Sequence, residues 1–200
     1  MLFKEELIPV LRSRRLTLRE MKSNDTEDMY EYSKDPSVTK YLLWREMKDK
    51  RYVRRYLKFV KRRYKNGGYY DWAVIYNGGD PSMPDSYAGR MIGTCGFASL
   101  DLENLCGEIG YVLNPAVWGN EIALEAARLV IKFGFEELGL QRIEARYMIG
   151  NDASVRVMEK LGMKYEGVHR SYMLVKGIRR DIGVYSILRS EYLASRRRYF

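Results

Sequence analysis

The stretch from Gly107 to Met163 constrains this chain more than any other. A short apolar strand pattern, Gly107 to Leu113, leads through Asn114-Pro115 and Trp118-Gly119 into an amphipathic helix. A second strand and a second helix follow before Met163. Each helix of such a β-α-β-α unit has one apolar face to bury against a sheet, so the fold class is α/β (or α+β) with a mixed sheet. The turn before the first helix leaves backbone N–H groups and the positive end of the helix dipole free, which is where a phosphate can be received. That turn carries Glu121, where glycine would serve an anion better.

The remaining pattern supplies more strands and helices around this unit. Arg14 to Arg19 alternates as a strand, and Asn24-Asp25 caps a helix that reaches Lys34 and stops before Asp35-Pro36. Asp49 opens a second helix, with Tyr52, Val53, Tyr56, Leu57, Val60 and Tyr64 on one face, ended by Asn66-Gly67-Gly68. Tyr69 to Tyr76 reads as a strand and Asn77 to Ser86 as a turn-rich loop. Arg90 to Ser99 and Gly107 to Leu113 form a hairpin around Asp101 to Leu105. The central helix runs from about Asn120 to Leu138 and stops at Gly139. Arg142 to Met148 is a strand and Asp152 to Leu161 a short helix. Two pieces, Met163 to Glu166 and Tyr172 to Val175, pair with Asp181 to Leu188 around Lys176-Gly177. A final helical turn begins near Glu191. Residues 1–200 are expected to form a single domain.

Composition excludes several classes. No run of eighteen apolar residues offers a membrane span, and the first residues, MLFKEELIPVLRSRR, lack the pattern of a signal peptide. The two cysteines, Cys95 and Cys106, have no CxxC spacing and no histidine near them, so no metal site is expected and both read as buried hydrophobes. A cytoplasmic location follows as the expectation. The net charge of +9 fits an anionic partner and equally fits a charge that serves only solubility. The basic run from Lys48 to Lys65 and the tail Arg196-Arg197-Arg198 keep a ribosome or RNA surface among the candidates.

The order Glu108-Ile109-Gly110-Tyr111, Asn114-Pro115, Trp118-Gly119, Ala123 and Glu125-Ala126 resembles the GNAT acetyltransferase superfamily. Gly139-Leu140, Arg142-Ile143-Glu144-Ala145, Asn151, Ser154 and Val157 to Met163 continue the resemblance, as does Tyr165-Glu166-Gly167. Arg14 to Arg19 and Asp35-Pro36 extend it to nearly the whole chain. Within the superfamily the chain resembles the ribosomal-protein N-terminal acetyltransferase branch. The resemblance implies a GNAT-like, mostly antiparallel central sheet flanked by helices. It implies direct acetyl transfer from acetyl-CoA, without a covalent enzyme intermediate. The acceptor it implies is a primary amine, on a protein N-terminus or a small molecule, with a ribosomal protein as one possible partner and a homodimer as one possible assembly.

The same resemblance assigns the cofactor residues. Tyr111, Val112 and Leu113 offer a strand edge to the pantetheine arm. The superfamily loop Q/R-x-x-G-x-G/A falls on Trp118, Gly119, Asn120, Glu121, Ile122 and Ala123, with Glu121 at the first motif glycine. Asn151 either holds the pantetheine or caps the following helix.

Amide formation needs a neutral amine, and a lysine amine titrates near about 10.4 and an α-amine near about 8. A carboxylate at the cleft suits the role of base. Glu108 is the first candidate, with a surface ion pair as its other reading, while Glu144 and Glu166 read as solvated. Many superfamily members place a tyrosine where this chain has Met158, so Ser154 becomes the candidate proton donor to the departing thiolate. Tyr172 and Tyr185 are candidates to line the acceptor pocket. Glu121 and the missing tyrosine also leave open a non-catalytic binding module on the same fold.

Overall fold

The computed structural model describes residues 8–199. The reading of the N-terminus as something other than a signal peptide falls mostly on residues 1–7, outside the described residues.

One eight-stranded sheet organises the chain. Its strands are β1 (Leu11–Arg12), β2 (Leu16–Arg19), β3 (Asp71–Tyr76), β4 (Met91–Asp101), β5 (Cys106–Leu113), β6 (Arg142–Met148), β7 (Lys164–Val175) and β8 (Ile178–Leu188), in the spatial order β1-β2-β3-β4-β5-β6-β8-β7. Every neighbouring pair is antiparallel except β5 and β6. That parallel pair needs a crossover, and α4 (Ile122–Glu136) supplies it.

The two faces of the sheet follow from strand alternation. Trp72 on β3 lies against Phe133 of α4, with ring centroids 5.4 Å apart. Its neighbour Asp71 turns to the opposite face, where α1 (Thr26–Ser33) and α3 (Lys50–Lys65) pack. α5 (Asp152–Lys160) lies beside α4. Gly134 lets α4 sit close to the sheet, since a Cβ there would come within 2.8 Å of the Phe97 ring.

The parallel register of β5 and β6 covers only Cys106/Arg142 to Ile109/Ala145. β5 then continues to Leu113 alongside β4, while β6 continues to Met148 alongside β8. The two strands splay apart, and the β6-facing edge of β5 beyond Ile109 lies outside the parallel register.

Several expectations need correction. The helix after Ser23 begins as a one-turn 3-10 segment, Ser23–Asp25, and Asp25 is no cap by its side chain: its buried carboxylate accepts from Arg19 and from the Lys22 N–H. A further turn, α2 (Pro36–Thr39), follows the expected stop, because Pro36 at a helix start needs no N–H partner and Asp35 accepts from the Ser37 N–H. Tyr52, expected on the core face of α3, is exposed. β7 is one strand whose register slips between His169 and Met173, where Ser171 takes φ 49°. The final turn is a helix, α6 (Arg189–Tyr199). Cys95 is buried as expected, but Cys106 is only half-buried.

Gly96 on β4 pairs with Asp71 on one side and Gly110 on the other. A Cβ at Gly96 would lie 2.4 Å from the Asp71 Cα and 2.8 Å from its Oδ1. Gly96→Ala is therefore expected to lower stability by about 1–3 kcal/mol, measured by urea denaturation. A variant as stable as the wild type would refute the close approach of β3 and β4 at this point.

Candidate active site

A cavity of about 530 Å³ opens where β5 and β6 diverge and extends under α1 and the segment that follows it. Glu108 and Gly110 border it from β5, Arg146 from β6, Asn151 from the cap of α5, and Ser154 and Met158 from α5 itself. Glu108 and Ser154 thus border one space from different elements. Strand alternation puts Glu108 and Gly110 on the α1/α3 face and Tyr111 on the other, where its hydroxyl donates to the Ser154 carbonyl at 3.4 Å.

Glu108 is bound into a charge network. Its carboxylate lies 3.5 Å from the Arg146 Nε, and Arg146 also engages Glu144 at 2.8 Å. Burial pushes the Glu108 carboxyl up from its ordinary value; Arg146 opposes that and Glu144 adds to it. Glu144 and Glu166 are not simply solvated. Arg142 holds both Glu166 oxygens at 2.6 Å, and with Ser186 it brings that carboxyl down to about 2. Arg142 also reaches Glu144 at 3.0 Å. Glu166 is thereby committed to an ion pair away from the cavity.

Asn151 caps α5. Its Oδ1 accepts from the Ser154 N–H at 3.4 Å, and its Nδ2 donates to the Ser154 Oγ at 3.0 Å. That donation leaves the hydroxyl proton of Ser154 free to be given elsewhere. Met158 is buried beside it.

The phosphate-ready turn lies past the end of the cavity. Tyr111 and Val112 line the cavity, while Leu113 and the run from Trp118 to Ala123 lie beyond it. The Trp118 indole donates to the Leu113 carbonyl at 3.0 Å, and Arg15 donates to the Asn120 carbonyl at 3.0 Å. Arg15 is fixed in turn by Glu125 at 2.6 Å and Asp80 at 2.8 Å. Gly119 takes φ 82° and Glu121 φ 59°, so Glu121 occupies the left-handed conformation that a glycine adopts freely. Its carboxylate is drawn to Lys160 on α5 and makes no cap on α4. The first N–H groups of α4, from Ile122 to Leu124, have no intrahelical partner by the geometry of a helix start.

One carboxylate on the cavity wall had no distinct signal in the sequence. Asp71 sits at the start of β3, where it reads as an ordinary polar residue entering a strand. Its partners are hydroxyls: Tyr69 at 3.4 Å, and Tyr56. Burial pushes its carboxyl up to about 7 against the pull of those two hydroxyls. Tyr172 and Tyr185 do not line the cavity; Tyr32, Tyr41, Tyr56, Tyr69 and Tyr147 do. Only pairing across strands and packing of α1 and α3 bring those tyrosines together. Among the described residues there is no group of three or more acidic, Cys or His side chains placed to hold a metal ion, and no helix long and apolar enough to cross a membrane.

Residues 15–164 match the acetyltransferase (GNAT) domain family. The chain is 34% identical over 182 residues to an uncharacterized N-acetyltransferase, p20, of Bacillus licheniformis, covering 91% of this chain and 97% of that one. It is 31% identical over 183 residues to the uncharacterized N-acetyltransferase YoaA of Bacillus subtilis, covering 92% and 98%. The crystal structure of a GNAT-family acetyltransferase from Bacillus anthracis superposes with a TM-score of 0.77 at 30% identity, over 92% of this chain and all of that one (100%). RimL, a ribosomal-protein α-N-acetyltransferase solved in complex with coenzyme A, shares the fold at a TM-score of 0.77 and 16% identity, covering 90% of this chain and 98% of that one.

The raised carboxyl of Asp71 has a consequence for stability. The folded chain keeps this proton to a higher pH than the unfolded chain does, so stability falls as pH rises from the ordinary carboxylate range toward 7. The loss amounts to up to about 4 kcal/mol, at roughly 1.4 kcal/mol per unit of difference. Urea denaturation at about pH 4 and pH 7 should show Asp71→Asn gaining on the wild type by that order as pH rises. Parallel pH dependence of the two proteins would contradict a half-buried Asp71 that holds its proton above the ordinary carboxylate range.

Proposed function

Because this chain belongs to the GNAT acetyltransferase family, whose members transfer acetyl groups from acetyl-CoA, we propose that it acetylates a primary amine, on a protein N-terminus or a small molecule, by direct transfer. The observation that carries this reading is the splay of β5 from β6, with Glu108 and Ser154 on the walls of one cavity.

The residues present suit the co-substrate. The β5 edge past Ile109 can pair with an extended amide-bearing arm, and the uncapped start of α4 can receive a pyrophosphate. With its carboxylate drawn to Lys160, Glu121 leaves that turn open, and Lys160 sets a cation beside it. Tyr111, Val112 and Leu113 would hold the arm, and the turn from Trp118 to Ala123 the phosphates. Acetyl-CoA, when bound, supplies the activated acetyl thioester.

The rest of the chemistry belongs to this chain's side chains. Glu108 takes a proton from the incoming ammonium, which leaves the nitrogen lone pair free to attack. Its raised carboxyl lies closer to the amine it must deprotonate than an ordinary glutamate does, so proton transfer is easier. Ser154 donates a hydrogen bond from its hydroxyl to the departing sulfur, which takes up the proton that the acetylated nitrogen loses, and Asn151 fixes that hydroxyl from the other side. The mostly apolar walls exclude water, which otherwise competes as an acceptor.

Glu108→Gln should lower kcat by about 100-fold or more and remove the acid limb of the pH profile, since the base must be ionised to act. Ser154→Ala should lower kcat by about 10-fold with little change in KM for acetyl-CoA, as expected of a donor that acts on the leaving group. Thiol release assayed across pH checks both, and an unaltered acid limb in Glu108→Gln would move the base elsewhere. Glu121→Gly relieves the left-handed strain and removes a carboxylate from the phosphate turn, so calorimetry should show coenzyme A bound several-fold more tightly. Weaker binding would mean that the Lys160 pair organises the turn.

A further inference from the structure

The cavity continues away from the splay across three strands. Asp71 on β3, Gly96 on β4 and Gly110 on β5 are successive cross-strand partners, so they form one row on the α1/α3 face. Two of the three lack a side chain. A Cβ on Gly110 would meet nothing within 4 Å, and its φ lies outside the range that demands glycine. A Cβ on Gly96 would come within 2.8 Å of the Asp71 Oδ1, so the carboxylate leans over β4 toward the open lane.

The lane is short of positive charge. Among the described residues, the charged side chains on the cavity wall are Asp71, Glu108 and Arg146. Arg146 is committed to Glu108 and Glu144, and among the described residues no ion pair involves Asp71. Tyr32, Tyr56 and Tyr69 also line this end, and aromatic rings attract cations. Tyr69 already carries the Arg63 guanidinium over its ring, 5.1 Å from the centroid. In a chain of net charge +9, this lane is a place where the sign reverses.

We propose that the acceptor acetylated here carries a second cationic group, and that Asp71 holds it across the glycine lane while Glu108 meets the reacting amine. This deepens the acetyltransferase reading and rests on it. Two strand spacings and two residues along the strand separate the Glu108 and Asp71 Cα atoms by about 12 Å. A cation lying inward of each carboxylate, about 3 Å from it, leaves the two roughly 6–8 Å apart, the span of a short aliphatic diamine. Asp71 positions the acceptor; Glu108 does the proton chemistry.

A cation beside Asp71 favours its ionised form, so binding expels the proton that burial retains there. The titratable groups packed around it are Tyr32 from α1, Tyr56 and Tyr64 from α3, Tyr69 before β3, and Cys95 from β4. Burial pushes each of them up, so each stays protonated at neutral pH and the released proton comes from Asp71.

The test compares cadaverine with n-pentylamine, which lacks the second amine, as acceptors for the full-length protein with acetyl-CoA. The wild type should favour cadaverine in kcat/KM by about 10- to 100-fold, the worth of one charge-assisted hydrogen bond, and chiefly through KM. Asp71→Asn should collapse that ratio toward one. No preference in the wild type, or an equal loss for both amines in Asp71→Asn, overturns the proposal, because a merely structural role lowers both alike. Calorimetry of cadaverine in two buffers of different ionisation enthalpy gives a readout without turnover. Wild-type binding should release protons, and Asp71→Asn should bind at least about tenfold more weakly with less release, Glu108 keeping its own share. If the wild type acetylates neither amine, the small-amine acceptor has failed and calorimetry decides alone: binding without proton release, or no binding, sinks the Asp71 site.

Discussion

The site depends on a pairing that stops. β5 and β6 keep a parallel register for four residue pairs, from Cys106/Arg142 to Ile109/Ala145, and then separate. A sheet whose strands stayed paired would have no cleft there and no free edge on β5. Each strand is instead held by its other neighbour, β5 by β4 and β6 by β8. Backbone groups beyond the end of that register can be met by water or by a ligand.

The two faces of the opening carry different chemistry. On the α4/α5 side lie neutral donors and backbone: the Tyr111 hydroxyl, the Ser154 hydroxyl fixed by Asn151, and the uncapped start of α4. These suit an elongated anionic co-substrate. On the α1/α3 side lie Glu108 and Asp71, both raised by burial, with aromatic walls. These suit a cationic amine. Under the proposed function, the acyl donor and the acceptor approach from opposite sides of the sheet and meet at the splay.

Glu121 shows how a motif departure is absorbed. The turn requires a left-handed residue, and at that position a glutamate costs on the order of 1 kcal/mol more than glycine. The chain accepts this and directs the carboxylate to Lys160, an exposed pair that itself contributes little to stability. The turn keeps the left-handed backbone conformation that a glycine would adopt freely.

Local pattern determined much of this protein. Apolar periodicity and turn residues delimited the strands and helices around the Gly107–Met163 unit, and motif order pointed to Glu108, Asn151 and Ser154, which all border the cavity. Those signals are contiguous in the chain, so a sequence can carry them. Only tertiary structure decided the rest. Asp71 acquires its character from Tyr56 on α3, Tyr69 and Gly96 on β4, which are brought together by strand pairing and helix packing rather than by any spacing in the sequence. The direction in which Glu121 points was equally undetermined, because its partner, Lys160, lies 39 residues away on another helix. A side chain's protonation and orientation depend on what surrounds it in space, and that is fixed only when the sheet has closed its register and the helices have covered it.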